Sequence, residues 1–197
     1  MKNLVAFLVI LGIIGGIAMK YINAFPVLDE TVKEKWAQVQ NQYKRRADLI
    51  PNLVKTVQGY ASHEEGVFKE VTEARSKASQ MTIDVSSLDD PAKLKEFENA
   101  QKTLGGALSR LMAITENYPQ LKADQNFLSL QSQLEGTENR IAVARKDYIA
   151  AVKDYNIALR KIPDKFIAAI FYPELKPRVT FEASEAEQSA PDVSFAK

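Results

Sequence analysis

FLSLQSQLEGTENRIAVARKDYIAAVKDYNIALRKI, residues 127–162, is the stretch whose pattern decides the fold. Phe127, Leu134, Ile141, Tyr148, Tyr155 and Ile162 recur every seven residues, the period of a helix that keeps one stripe against a neighbour. The alternate seam positions are Leu130, Thr137, Ala144, Ala151 and Ala158. Large side chains alternate with small ones, so a second helix can lie close along the alanine side. From Asp124 to the stop at Ile162-Pro163 the spacing predicts a helix of about 38 residues, about 57 Å long. A helix of that length is the spine of an all-α helical bundle.

Working outward, a matching seam runs through Val32, Trp36, Val39, Tyr43, Ile50, Leu53, Val57 and Tyr60 at spacings of three and four. Arg46 occupies the seam position between Val39 and Leu53, and Pro51, which has no amide hydrogen, predicts a kink or restart. Ser62 to Glu65 has the pattern of a capping box opening a segment from Val67 to about Gln80. Residues 81–90 carry no helical period and end in Asp90-Pro91, an N-cap followed by proline in the first turn. The next helix, from Pro91 to about Asn117, sets Phe97, Leu104 and Leu111 seven apart, with Ala100, Ala107 and Ile114 beside them. Gly105-Gly106 weakens it unless another backbone packs closely there. Beyond Pro173 the composition turns to proline, acids and serine, which predicts an extended C-terminal tail docked at Phe181, with Val179, Val193 and Phe195 as its other isolated apolar anchors.

The N-terminus is a different kind of sequence. Leu4 to Met19 holds sixteen residues without a charge or strongly polar group. As a helix that is about 24 Å, short of a hydrocarbon core of about 30 Å, and continuation through Tyr21 and Ile22 to Phe25 with Lys20 snorkelling brings it to about 33 Å. A cleaved signal peptide is the rival, but Ile22 fits poorly where a small residue is wanted before Ala24, so an uncleaved single-pass anchor is expected. Gly12 and Gly16 form a GxxxG pair that allows close packing of two membrane helices. Lysines on both flanks leave the orientation open. The expected organisation is an anchor and flank over 1–26, a helical bundle over 27–172 and a tail over 173–197.

Composition removes most chemistry. The 197 residues include no Cys and one His, with 26 Lys plus Arg against 25 Asp plus Glu. Thiol nucleophiles, disulfides and thiolate metal sites are gone, and His63-Glu64-Glu65 lacks the second histidine of a zinc-protease helix. A net charge of +1 gives no field for nucleic acid. No cofactor or metal is expected, and nothing resembles a nucleophile elbow or phosphate loop. The densest basic run, Lys44-Arg45-Arg46, could meet anionic headgroups, yet Arg46 on the seam requires a partner, and Glu138 is of the kind needed. Asp48, Asn52, Glu138, Asn139, Arg140 and Arg145 could instead converge as a polar pocket between helices.

Several blocks are similar to one bacterial family. Arg45-Arg46-Ala47-Asp48-Leu49-Ile50-Pro51-Asn52-Leu53-Val54, Gly59-Tyr60-Ala61-Ser62-His63-Glu64, Glu70 to Arg75, Tyr118 to Ala123, Glu138 to Arg145, Asp154-Tyr155-Asn156, Phe181-Glu182-Ala183 and Pro191 to Phe195 resemble the LemA family in kind and order. The resemblance implies a single N-terminal membrane helix in the bacterial cell (inner) membrane and a long-helix antiparallel bundle on the cytoplasmic side. It brings no catalytic residues. The leading expectation is a non-enzymatic scaffold or adaptor that recruits a protein partner or forms a homo-oligomer. The alternative is a lipid- or ligand-binding module at the membrane surface using the Arg45-Arg46 strip.

Overall fold

A computed structural model describes residues 2–181. Among them there are helices and no strand: α1 (Lys2–Gln58), α2 (Glu65–Gln80), α3 (Pro91–Thr115), α4 (Pro119–Lys122), α5 (Gln125–Ala158) and α6 (Asp164–Phe171), with a 3-10 turn at Val85–Ser87. The tail residues Val193 and Phe195 lie outside the described residues.

Pairing of α1 with α5 sets the architecture. Phe25 meets Ala158, Trp36 meets Tyr148, Arg46 meets Glu138 and the Tyr60 turn meets Asp124, so the two run antiparallel over the length of the bundle. α2 returns alongside α1 and α3 turns back again, with Arg110 on Glu70 and Gln101 on Ala78 marking the antiparallel α2–α3 pair. The result is an up-down-up-down four-helix bundle, about 50 Å long from Phe25 to Gln58. The α5 seam is as its period predicts: Phe127, Leu134, Thr137, Ile141, Ala144, Tyr148, Ala151, Tyr155 and Ala158 are buried. The helix is 34 residues long. It ends at Ala158, so Ile162 is exposed rather than part of the seam, and Tyr60, past the end of α1, is exposed too. On α3 the buried companions of Phe97, Leu104 and Leu111 are Gln101, Ala107, Leu108 and Thr115, rather than Ala100 and Ile114.

α1 departs most from its local sequence rules. It runs 57 residues through both Pro26 and Pro51. A proline inside a helix frees the carbonyl four residues earlier, here Ile22 and Ala47. Tyr172 Oη donates to the Ile22 carbonyl at 3.2 Å, and Arg75 Nε donates to the Ala47 carbonyl at 2.7 Å. Each lost backbone bond is replaced from a distant element, and the helix continues. The first part of α1 is long and apolar enough to cross a membrane, and its large side chains from Leu4 to Met19 are all exposed.

The capping box at Ser62 does not form. Glu64 stands at the N-cap of α2 without a side-chain cap. Asp90 behaves as its sequence predicts, accepting from the amides of Ala92 and Lys93 ahead of α3. Open space surrounds Gly105 and Gly106, so no close backbone approach accounts for them.

Candidate functional site: the Arg46 layer and its groove

Apart from a small cluster around Phe25, Ala158 and Ala168, the apolar core is split in two. A distal cluster joins Ile50, Leu53 and Val57 of α1 to Val71, Leu104, Leu111 and Leu134, while a proximal one joins Val32, Trp36 and Val39 to Phe97, Tyr148 and Tyr155. Arg46 lies between them, 4% exposed. Its Nη1 donates to Glu138 Oε1 of α5 at 3.1 Å, and its Nη2 donates to Gln101 Oε1 and the Gln101 carbonyl of α3 at 2.6 and 3.2 Å. Gln101 Nε2 donates onward to the Ala78 carbonyl of α2 at 3.3 Å. One guanidinium thus ties all four long helices in a single layer, with its carbon 5.0 Å from the Tyr43 ring centre. Burial pushes the Tyr43 hydroxyl up from its ordinary pKa, against the opposing pull of Arg145 and Arg46. A buried cation persists only when paired and hydrogen-bonded, and Arg46 is both.

The other residues singled out from sequence do not converge. Arg45, adjacent in sequence, is exposed, so the Arg45-Arg46 strip is divided between solvent and core. Asp48 is exposed and pairs with Lys44 on its own helix at 3.3 Å. Asn52 is exposed, and its carbonyl accepts from Thr56. Pro51 is half-buried within α1, and Asn139 and Arg140 face outward, Arg140 donating to Thr137 Oγ1 at 3.1 Å. Arg145 donates to Glu98 Oε1 at 3.0 Å and lies 4.3 Å from the Phe181 ring centre. A six-residue pocket is ruled out by α5 itself, since Glu138, Asn139 and Arg140 are consecutive and spread about 100° apart around the helix.

Next to the layer is a groove of about 410 Å³ between α1, α2, α3 and the loop before α3, lined among others by Gln40, Lys44, Asp48, Arg75 and Gln101. Its charges are largely spoken for, by the Lys44–Asp48 pair and the Arg75–Ala47 bond.

A second polar cluster escapes sequence reasoning. Arg178 Nη2 donates to Asp29 Oδ1 at 3.0 Å, and its backbone amide and carbonyl are both bonded by the Asn156 side chain at 2.9 Å. Tyr148 Oη donates to the Val179 carbonyl and the Val179 amide to the Leu88 carbonyl, both at 2.9 Å. Phe181 is buried against Trp36 and Tyr148, ring centres 5.9 and 5.5 Å apart. Burial would raise the Asp29 carboxyl, but hydrogen bonds from Lys33 and Arg178 outweigh it and hold the group below its ordinary 3.8. Gln101 was findable, as a polar residue on the α3 seam, and Arg75 follows from asking what satisfies the carbonyl freed by Pro51. Arg178 has no periodic signal.

Five of the residues in these joints, Arg46, Arg75, Glu138, Asn156 and Phe181, fall in the sequence blocks that carry a family likeness. The LemA family model matches residues 35–195. The chain belongs to the LemA family. Among similar proteins, magnetosome protein MamQ 2 of Paramagnetospirillum magneticum is 29% identical over 182 residues, covering 84% of this chain and 66% of that protein. Magnetosome protein MamQ of Magnetospirillum gryphiswaldense is 29% identical over 184 residues, covering 85% and 65%. Protein LemA of Metamycoplasma hominis is 26% identical over 156 residues, covering 79% and 66%. The chain spans just under two thirds of the length of these curated relatives. Within this LemA-family fold, Arg46, Arg75, Glu138, Asn156 and Phe181 all act between elements, holding helix to helix or tail to bundle.

Proposed function

We propose that this LemA-family protein is a membrane-anchored, non-enzymatic scaffold that presents a rigid helical bundle to a protein partner or to further copies of itself. The carrying observation is the continuity of α1, which leads from the apolar N-terminal segment into the bundle core without a break. A rod joined to its anchor in this way transmits position and orientation, which is what a scaffold needs. In support, two interior arginines are engaged in joints between elements, at Arg46–Glu138 and Arg178–Asp29. Gly12 and Gly16 lie open on the exposed apolar part of α1, with nothing within 4 Å of an added Cβ, and offer a face for self-association. The family resemblance supports the bacterial cell membrane as the site, with the bundle on the cytoplasmic side. Names of the relatives give a structure or a family and no reaction.

Extraction of the full-length protein in mild detergent, followed by native mass and identification of co-purifying chains, tests the proposal. The expected result is a defined oligomer or a stoichiometric partner; a partnerless monomer at native abundance overturns it. A lipid- or ligand-binding module is the second reading; with Arg46 buried, only Arg45 of the Arg45-Arg46 strip is exposed, and the neighbouring groove takes an anion only if Lys44 leaves Asp48. It requires glycerol phosphate to raise the melting temperature of the solubilised protein, and Lys44→Ala to abolish that rise.

A further inference from the structure

α6 has two faces in opposite surroundings. Asp164, Ala168 and Tyr172, spaced by four, form the inward one: Asp164 and Ala168 are buried, and the Tyr172 ring centre is 5.8 Å from that of Phe25. On the other face Phe166 and Ile170 are 58% and 71% exposed, with Phe171 beside them at 52% and Ile162, in the turn before the helix, at 69%. Four large apolar side chains within ten residues make a patch that water alone penalises.

The position of the patch indicates what covers it. α6 is fastened to α1 through the Tyr172–Ile22 bond and the packing of Ala168 with Phe25. Leu4 to Met19 covers about 24 Å of a hydrocarbon core about 30 Å thick. Making up the difference takes about four more residues at 1.5 Å each, to the level of Asn23, and this is where Tyr172 grips the helix. Tyr21, Ile22 and Ala24 are partly covered there, whereas the large side chains of the preceding span are exposed. Arg160, Lys161 and Lys165, all exposed, surround the turn into α6. They carry the charge that anionic headgroups complement.

We propose that α6 and the Ile162 turn form an interfacial foot, with Ile162, Phe166, Ile170 and Phe171 seated in the headgroup–acyl boundary of the bilayer that α1 crosses. The foot rests on the reading of residues 4–25 as a membrane span. It adds a second attachment, and two attachments fix the direction in which the bundle leaves the membrane, where a lone helix is free to tilt.

The lack of cysteine allows a nitroxide to be placed at single sites in the full-length chain. Phe166→Cys and Ile170→Cys report on the foot, Leu11→Cys on the span and Ser62→Cys on the distal end, all at exposed positions. Accessibility to oxygen and to a water-soluble nickel chelate is read in vesicles of phosphatidylcholine and phosphatidylglycerol. The expected result places both α6 labels about 5–10 Å below the headgroup boundary, with Leu11 deeper and Ser62 in water. Water-exposed α6 labels with Leu11 in lipid overturn the foot and leave the span standing. Leu11 in water overturns both. Labels shielded from both reagents, with dipolar broadening between copies, overturn the lipid assignment in favour of a second copy.

Discussion

The distal and proximal halves of the bundle solve the same packing problem by different means. The distal half has four regular helices and a mainly aliphatic core, Ile50, Leu53, Val57, Val71, Leu104, Leu111 and Leu134 among its buried members, with Phe68 and Phe127 as its aromatic ones. In the proximal half, below the ends of α2 and α3, the loop over 81–90 and the chain over 172–181 take over, and the core is aromatic: Trp36, Tyr43, Phe97, Tyr148, Tyr155 and Phe181. Irregular backbone carries amides and carbonyls that no helix satisfies. Aromatic side chains with a polar tip supply both bulk and a donor. Trp36 Nε1 donates to the Ile83 carbonyl at 3.2 Å and Tyr148 Oη to the Val179 carbonyl at 2.9 Å. Where helices run out, the core itself must provide the hydrogen bonds.

That contrast predicts where damage stays local. Trp36 is fully buried and touches Phe97, Tyr148 and Phe181 at ring-centre distances of 5.5, 5.2 and 5.9 Å. Trp36→Ala should cost about 4 kcal/mol, read by hydrogen exchange as lost protection around residues 141–155 with residues 104–111 keeping theirs. Equal loss in both halves would make them one cooperative unit. Arg46→Ala strikes the boundary and should cost about 3 kcal/mol, at the lower end for a broken buried pair, because Glu138 has a side chain 46% exposed and can turn to water. Glu138→Ala alone should cost about 1 kcal/mol, since Gln101 still holds the guanidinium. A double-mutant cycle in detergent checks this, and a larger loss from Glu138→Ala than from Arg46→Ala would reverse the assignment.

Much of this was legible. The α5 seam was readable because a strict heptad over many turns admits one buried stripe, and the need to pair Arg46 followed from its place on the α1 seam. Two kinds of feature were not. Local rules kink or restart a helix at Pro51, while the structure carries it through with Arg75, whose bond reaches back 28 residues to the Ala47 carbonyl. Tertiary capture of that sort leaves no periodic trace. The clamp of Arg178 on Asp29 and Asn156 is the same case: it depends on the chain doubling back after α6, which composition describes only as a tail. The supposed polar pocket failed because consecutive residues on α5 cannot share one direction.

Acid should loosen the proximal half through that clamp. Asp29 has a lowered pKa in the fold, despite burial, because Lys33 and Arg178 hydrogen-bond its carboxylate. A depressed carboxyl pKa contributes stability that is complete above the unfolded value, about 4, and is lost as pH falls through the folded one. Asp29→Asn should therefore cost about 2 kcal/mol near neutrality and flatten the acid response of residues 172–181. Hydrogen exchange at neutral and acid pH measures both. An unchanged acid response in the variant would move the sensitivity to another carboxyl, with Asp84, lowered by hydrogen bonds from the Ser86 side chain and amide in the loop that the tail meets at Leu88, next in line.

The smallest effect separates the halves most finely. Each has one proline in α1 and one captured carbonyl, Ala47 by Arg75 and Ile22 by Tyr172. Arg75→Ala should cost about 1 kcal/mol, because it leaves the Ala47 oxygen without a donor. In a Pro51→Ala background the restored amide of residue 51 takes that oxygen, so the same Arg75→Ala change should cost close to nothing. Tyr172→Phe and Pro26→Ala form the matching cycle at the membrane end, where the bilayer withholds the water that could replace a lost donor. Its coupling should therefore be the larger of the two. Additive effects in the distal cycle would assign Arg75 to the groove and not to the carbonyl. Additivity in both would mean that α1 crosses its prolines on packing alone, and the shared device linking the two halves would be gone.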